Sequence, residues 1–305
     1  MSPLYTPGKV VLAKEFTPQS YMYEFPSQYP VWSPAEISTA LWLDAADVST
    51  ITEVGGAVTT WTDKSGNGHN ATADGNPTYN ATGMSTNKPA VQLDGTGDSF
   101  TSSITGIGSF NALDVYMVTQ TTAAAAADTS SALFWGYGNL GSSSGIYPSA
   151  RGQALVSATG VLSGESIVTF FESTSFGLGR LGSNSYARAA NTAQILNSKN
   201  STNGTLLFAN GLQIDLNLAN QITTSTNTAP SSMGYATDSD LHFGAGRFSG
   251  ALSYSPAIKF AEVIVSSALL STANRQKLEG YLAHKWGLTA NLPADHPYKT
   301  AVPVP

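Results

Sequence analysis

The residues of this chain best suited to chemistry are its carboxylates and histidines, and their spacing speaks against most reactions they could perform. Cleaving a glycosidic bond takes two carboxyl groups about 5–9.5 Å apart. On a strand that means acids two or four positions apart, facing one side. None of Glu15, Glu24, Glu36, Glu53, Glu165, Glu172, Glu262 and Glu279 has a second acid at either spacing. His69, His242, His284 and His296 lie far apart in the chain and no cysteine assists them, so no zinc site is expected. Gly164 and Ser166 flank a glutamate rather than forming a G-x-S-x-G elbow. No catalytic residue is assigned, and the chain reads as a non-enzyme.

Oxygen ligands leave calcium as the one cofactor open. Asp44 with Asp47, Asp94 with Asp98, and Asp238 with Asp240 are the carboxylate pairs, and Asp94 with Asp98 is the candidate site. The competing reading is that these aspartates cap strands through Asx turns, which the surrounding glycines favour. For a sugar, the candidates are Trp135, Tyr137 and Tyr147, in the Gly/Ser-rich stretch FWGYGNLGSSSGIY, where they could form an aromatic platform. The alternative places Trp135 in the core. Glu262 interrupts an apolar run and needs a partner if buried. Arg275, Lys277 or His284 on the following segment could supply one, tying strand to helix.

The elements that must position these residues are mostly strands. Ile258–Ser266 reads as a long strand apolar on both faces, with Ile258, Phe260, Glu262 and Ile264 on one side and Ala261, Val263 and Val265 on the other. Ser271 is a plausible N-cap for the one confident helix. In it Leu278, Tyr281, Leu282, Lys285 and Trp286 recur at helical spacing, and Gly287 supplies the left-handed stop. Shorter strands are expected at Leu41–Asp44, Val58–Asp63, Ala90–Leu93, Leu113–Gln120, Leu133–Tyr137, Ala154–Val156, Ile167–Phe171, Tyr186–Ala190 and Leu241–Gly244. Leu206–Ala209 and Gln213–Leu218 flank Asn210-Gly211, a hairpin signal. The alanine run 123–127 is read as loop. About a dozen short strands and one C-terminal helix make an all-β sandwich.

Composition agrees. Charged residues are 11% of the 305, against a usual ~25%. The polar surface must therefore be Ser, Thr, Asn and Gly. A net charge of -6 with no Lys/Arg cluster argues against nucleic acid. The absence of cysteine excludes disulfides. No apolar run is long enough to span a membrane, and residues 1–20 lack the pattern of a secretory signal.

Residues 1–35 differ from the rest, with Pro3, Pro7, Pro18, Pro26, Pro30 and Pro34 among Tyr5, Phe16, Tyr21, Tyr23, Phe25, Tyr29 and Trp32. Proline at this density favours an extended chain. Aromatics at this density gain stability only by lying on a surface, either the chain's own domain or a partner. These seven aromatics are the candidate partner-docking residues. The domains expected are an arm, 1–35, a sandwich, 36–299, and an extended tail, 300–305.

The motifs LWLDAADVSTI, WTDKSGNGHNATA, PAVQLDGTGDSF, the ANG hairpin, LHFGAG and FAEVIVSSALLSTANRQKLEGYLAHKWGL, followed by LPADHPY, occur in an order that resembles laminin-G-like, concanavalin A-like jelly-roll domains. The subgroup it looks like occurs in phage virion and bacterial surface proteins. The resemblance covers about residues 36–299 and implies two curved antiparallel sheets and a role in glycan or protein binding. It implies, first, a structural protein of a phage virion displayed on the particle exterior, as capsid decoration or as part of a tail or fibre. Other virion proteins would be held through residues 1–35, and host-surface glycans and a homo-oligomer are compatible with this reading. The alternative is a carbohydrate-binding adhesin or lectin, extracellular or at a cell surface; third comes a polysaccharide-cleaving enzyme.

Overall fold

The computed structural model describes residues 31–104, 112–122, 132–137, 139–140, 151–157, 165–172, 178–182, 191–201, 204–214, 240–248, 251–253 and 257–305. In chain order the strands begin with β1 (Thr39–Asp44), β2 (Ile51–Val54), β3 (Ala57–Trp61), β4 (Ala71–Asp74), β5 (Thr78–Asn80), β6 (Ala90–Asp94) and β7 (Ser99–Ser103). Next are β8 (Ala112–Thr121), β9 (Ala132–Tyr137), β10 (Asn139–Leu140), β11 (Arg151–Ser157), β12 (Glu165–Glu172) and β13 (Leu178–Gly182). The last are β14 (Gln194–Ser201), β15 (Gly204–Ala209), β16 (Leu212–Ile214), β17 (Asp240–Phe243), β18 (Gly246–Phe248), β19 (Ala251–Ser253) and β20 (Ala257–Ser266), which leads to helix α1 (Thr272–Trp286). The strands outnumber the sequence expectation because short pairings form in Thr/Ser/Gly stretches that carry little apolar signal. The expected strand Tyr186–Ala190 and the alanine loop 123–127 lie outside the described residues.

Two antiparallel sheets face each other as a jelly-roll β-sandwich. The first runs β16-β15-β14-β8-β20-β6-β5, with β1 also paired to β20; the second runs β13-β12-β11-β9-β17-β7-β4-β3-β2. A side sheet, β10-β18-β19, holds the one parallel pair among the described strands, β10 with β18. Trp61, Phe100, Phe134, Trp135 and Phe243 of the second sheet meet Leu41, Leu43, Val115, Met117 and Phe260 of the first in one core.

β20 sits at the centre of the first sheet, between β8 and β6, and is buried along nearly all its length. A bulge at Ala261 corrects the alternation expected from the sequence. Phe260 pairs with Thr119 and Glu262 with Val118, so one residue of β20 has no counterpart on β8. The extra residue reverses the phase of side-chain alternation. Ile258 and Phe260 therefore share the core face with Val263 and Val265, while Glu262 and Ile264 face outward. Without the bulge the Glu262 carboxylate would enter the apolar core.

Helix α1 covers that outward face. The Ser271 hydroxyl accepts from the Asn274 N–H at 3.2 Å, and Gly287 ends the helix at φ 73°. Leu278, Leu282 and Trp286 are buried, each contributing roughly 1.5–3 kcal/mol. Glu262 lies beneath the helix. Its partners are the Trp42 and Trp286 indoles, donating at 2.7 and 2.6 Å, the Tyr281 hydroxyl at 3.1 Å and Lys285 Nζ at 2.8 Å. The strand-to-helix tie exists, but none of Arg275, Lys277 and His284 makes it. Arg275 instead pairs at 2.6 Å with buried Glu279, which also accepts from His296 Nε2 at 3.2 Å.

The segment after α1 folds back over it. His284 Nε2–H donates to the Tyr298 carbonyl at 2.9 Å, and Gly280 leaves room for the Tyr298 side chain. Trp32 is also part of this globule. It is buried, with its ring edge-on to Tyr281 at 6.3 Å. A tryptophan so enclosed holds the chain's own domain, which removes Trp32 from the partner-docking set.

Candidate functional site

The turn that begins Lys64-Ser65-Gly66 is organised by Asp63. Asp63 Oδ1 accepts from the N–H groups of Trp42 and Ser65, at 2.9 and 2.8 Å. Its Oδ2 accepts from the Ser65 hydroxyl and the His69 N–H, at 2.7 and 3.0 Å. Asn67 Nδ2 donates to the Thr39 carbonyl at 2.9 Å, and His69 Nδ1–H to the Ala40 carbonyl at 2.8 Å. Gly66 and Gly68 supply the positive φ values, 87° and 75°, that let the loop double back. A loop with this many internal bonds is ordered before any ligand arrives, which lowers the entropic cost of binding.

This loop walls a cavity of about 430 Å³ on the outer face of the second sheet. His69 and Asn70 come from the loop, Thr72 and Asp74 from β4, and Thr101 and Ser103 from β7. Alternation explains the composition. Ala71, Phe100 and Ser102 turn inward and are buried, so their neighbours Thr72, Thr101 and Ser103 must turn outward.

The cavity opens onto a row of cross-strand partners. Thr52 faces Thr60, Thr60 faces Thr72, Thr72 faces Thr101, and Thr101 faces His242. The Thr101 hydroxyl lies 3.0 Å from His242 Nδ1. His242 is fully buried, so the row is open to solvent only from Thr52 to Thr101. With strands about 4.8 Å apart, the open row from Thr52 to Thr101 spans about 14 Å across the sheet.

The acids here are not arranged for cleavage. Asp74 pairs with Ser99 and Asp240 with Ser103, on opposite sides of β7 and four residues apart along it. That puts them about 13 Å apart along the strand and about 10 Å across it, too far for a glycosidase pair. Among the described residues no three His, Cys, Asp or Glu side chains are grouped to hold a metal ion.

The residues singled out from sequence fall elsewhere. Trp135 is fully buried and pairs with Phe243, so its indole presents no face to solvent. Tyr137 stands in β9 opposite Leu241, and Tyr147 lies outside the described residues. The platform therefore loses its tryptophan. Asp98 is buried and accepts the N–H groups of Asn76 and Asp94 at 2.7 and 3.1 Å; Asp94 accepts from the Thr96 N–H at 2.6 Å. These are the bonds of turns, the alternative reading of that pair. Tyr5, Phe16, Tyr21, Tyr23, Phe25 and Tyr29 lie outside the described residues.

No family model matches the chain, and a comparison with curated proteins finds no match. Solved structures do resemble it. The receptor-binding domain of botulinum neurotoxin mosaic serotype C/D matches 80% of this chain and 50% of that one, at 13% identity and a TM-score of 0.49. The binding domain of botulinum neurotoxin serotype D matches 78% and 50%, at 12% identity and a TM-score of 0.49. A structure described as HCR/D-Sa-GBL1/C matches 80% and 51%, at 9% identity and a TM-score of 0.50. The chain thus spans about half the length of the structures it resembles, and at such identities the likeness concerns the fold alone.

Proposed function

We propose that this chain is a non-enzymatic binding module that recognises neutral glycan chains on the outer face of its second sheet. The observation that carries this reading is the composition of the cavity and its row: hydroxyls of Thr72, Thr101 and Ser103, the Asn70 amide, the His69 imidazole and the Asp74 carboxylate. Such a surface offers donors and acceptors at regular spacing and little apolar area, which suits sugar hydroxyls. Asp74 lines the cavity and, among the described residues, no lysine or arginine does, so sulfated or sialylated chains are disfavoured. The row runs perpendicular to the strands, so an extended polysaccharide fits it better than a single sugar.

A glycan array probed with the full chain tests this reading, together with product analysis of any glycan bound. Binding of neutral oligosaccharides without release of sugar supports it. Binding confined to acidic glycans contradicts it, and sugar release would make the module an enzyme.

A second reading places the module on the exterior of a virion, tethered through residues 1–35. The favouring observation is that Trp32 joins the globule on the helix-bearing face of the first sheet, opposite the cavity. Residues 1–30 connect there, which leaves the ligand face turned away from the tether. Co-purification of particle proteins with the full chain, lost on deleting residues 1–30, tests it.

A further inference from the structure

Lys285 Nζ stands 2.8 Å from Asp44 Oδ1 and 2.8 Å from Glu262 Oε2. Asp44 and Glu262 face each other in register across β1 and β20, so two like charges oppose one another with the lysine between them. Both acids are buried, and the indoles of Trp42 and Trp286 and the Tyr281 ring surround the group. We propose that Lys285 and Asp44 condense into an isopeptide bond, with Glu262 as the acid–base residue. This inference is independent of the glycan reading.

The chemistry balances without a co-reactant. Glu262 takes a proton from the Lys285 ammonium, leaving a neutral amine whose lone pair attacks Asp44 Cγ. The new C–N bond forms, one Asp44 C–O bond breaks, and that oxygen leaves as water carrying two protons from the former ammonium, relayed through Glu262. An ammonium and a carboxylate become one neutral amide and one water; Glu262 ends as it began. Burial pushes the Glu262 carboxyl above its usual range, against the pull of Lys285, so a protonated Glu262 is accessible as the relay. The Ala46 N–H donates to Asp44 Oδ1 at 3.0 Å and Lys64 Nζ sits 2.8 Å from Oδ2, positive charge where the oxyanion develops. Burial disfavours the Lys64 ammonium, but Asp44 and Asp47 outweigh it and hold its pKa above the ordinary lysine value. Lys64 therefore stays charged and stabilises the reaction rather than attacking. Forming the bond also removes the buried Asp44 charge and the half-buried Lys285 charge beside it.

The bond would join β1 to α1 and close the chain from residue 44 to residue 285, in a protein with no cysteine for a disulfide.

Intact-mass measurement of the denatured full chain, followed by peptide mapping, tests the proposal. The expected wild-type mass is one water below the sequence value, with a branched peptide joining Asp44 to Lys285. Glu262→Gln and Lys285→Arg should each restore the full sequence mass; because either could impair folding, the wild-type result decides. A wild-type chain at full mass after prolonged incubation at neutral pH overturns the proposal. So does a water loss confined to one linear peptide, as a succinimide at Asp94-Gly95 would give, or a branch at Lys64.

Discussion

The Trp32 N–H donates to the Pro303 carbonyl at 3.0 Å, so residues on the two sides of the sandwich sequence lie against each other on the helix-bearing face. The Trp32 ring completes the contact by packing edge-on to Tyr281 of α1. The structural domain therefore starts before residue 36, where composition alone would begin it.

Truncation separates these boundaries. A chain starting at residue 31 keeps Trp32 and its contacts with Tyr281 and Pro303. One starting at residue 36 loses the indole and about 3–5 kcal/mol. Equal midpoints for the two truncations would show that Trp32 contributes nothing.

Much of this region was legible in the sequence, and the reasons are local. Ser271, the spacing of Leu278, Leu282 and Trp286, and Gly287 specify a helix with both ends marked, and each does so within a few residues. The bulge at Ala261 was not legible, because an inserted residue shows only in the pairing with β8, and with it went the facing of Glu262. The partners of Glu262 were missed for a related reason: Trp42 is far away in sequence and meets it only because β1 pairs with β20. The cavity has the same character. Alternating polar residues in Ala71–Asp74 and Ser99–Ser103 hint at two half-exposed strands, yet only the sheet order brings them beside His69. Trp135 shows the converse, an aromatic among glycines that looks like a platform and is core.

Asp114 makes stability depend on pH. Burial lifts its pKa to about 6, against hydrogen bonds from Asn197 and the Leu270 N–H and the pull of Lys199 Nζ at 4.0 Å. The folded-state value lies above the ordinary aspartate value of 3.8, so between the two the folded chain holds the extra proton. Stability from this group is present below the unfolded value and declines as pH rises towards about 6, by an amount on the order of 2–3 kcal/mol. Glu262, also raised by burial, acts in the same direction. Urea unfolding across this range should show the decline in wild type and a shallower one in Asp114→Asn. An unchanged slope in the variant would assign the dependence to other groups.

Gly280 is a helical glycine that alanine should not improve. In an open helix the change would gain up to about 1 kcal/mol. Here the added Cβ would collide with the Tyr298 side chain. Gly280→Ala is expected to cost about 1–3 kcal/mol and to increase hydrogen exchange across residues 292–305. A stabilised variant with unchanged exchange would contradict the packing described.

Arg275 is the buried counter-ion of Glu279, and its guanidinium lies 4.3 Å over the Phe208 ring. Arg275→Met keeps the apolar contact and leaves the buried carboxylate with His296 Nε2 but without its guanidinium, at an expected cost of about 3–5 kcal/mol. Adding Glu279→Leu should recover most of that loss, and chemical denaturation of the single and double variants measures both. A double variant as weak as the single one would mean that packing, not charge, is what Arg275 supplies.

The central claim, that the outer face of the second sheet binds neutral glycan chains, is tested most directly by isothermal titration with neutral oligosaccharides of increasing length. Wild-type affinity should rise with chain length as successive sugars reach along the row from Thr101 towards Thr52. Thr72→Val and Thr101→Val should each weaken binding by about five- to tenfold, the loss of roughly 1–1.4 kcal/mol for a missing hydroxyl, while leaving the fold intact by circular dichroism. Affinities that are unaffected by both substitutions, or that do not change with length, would contradict it.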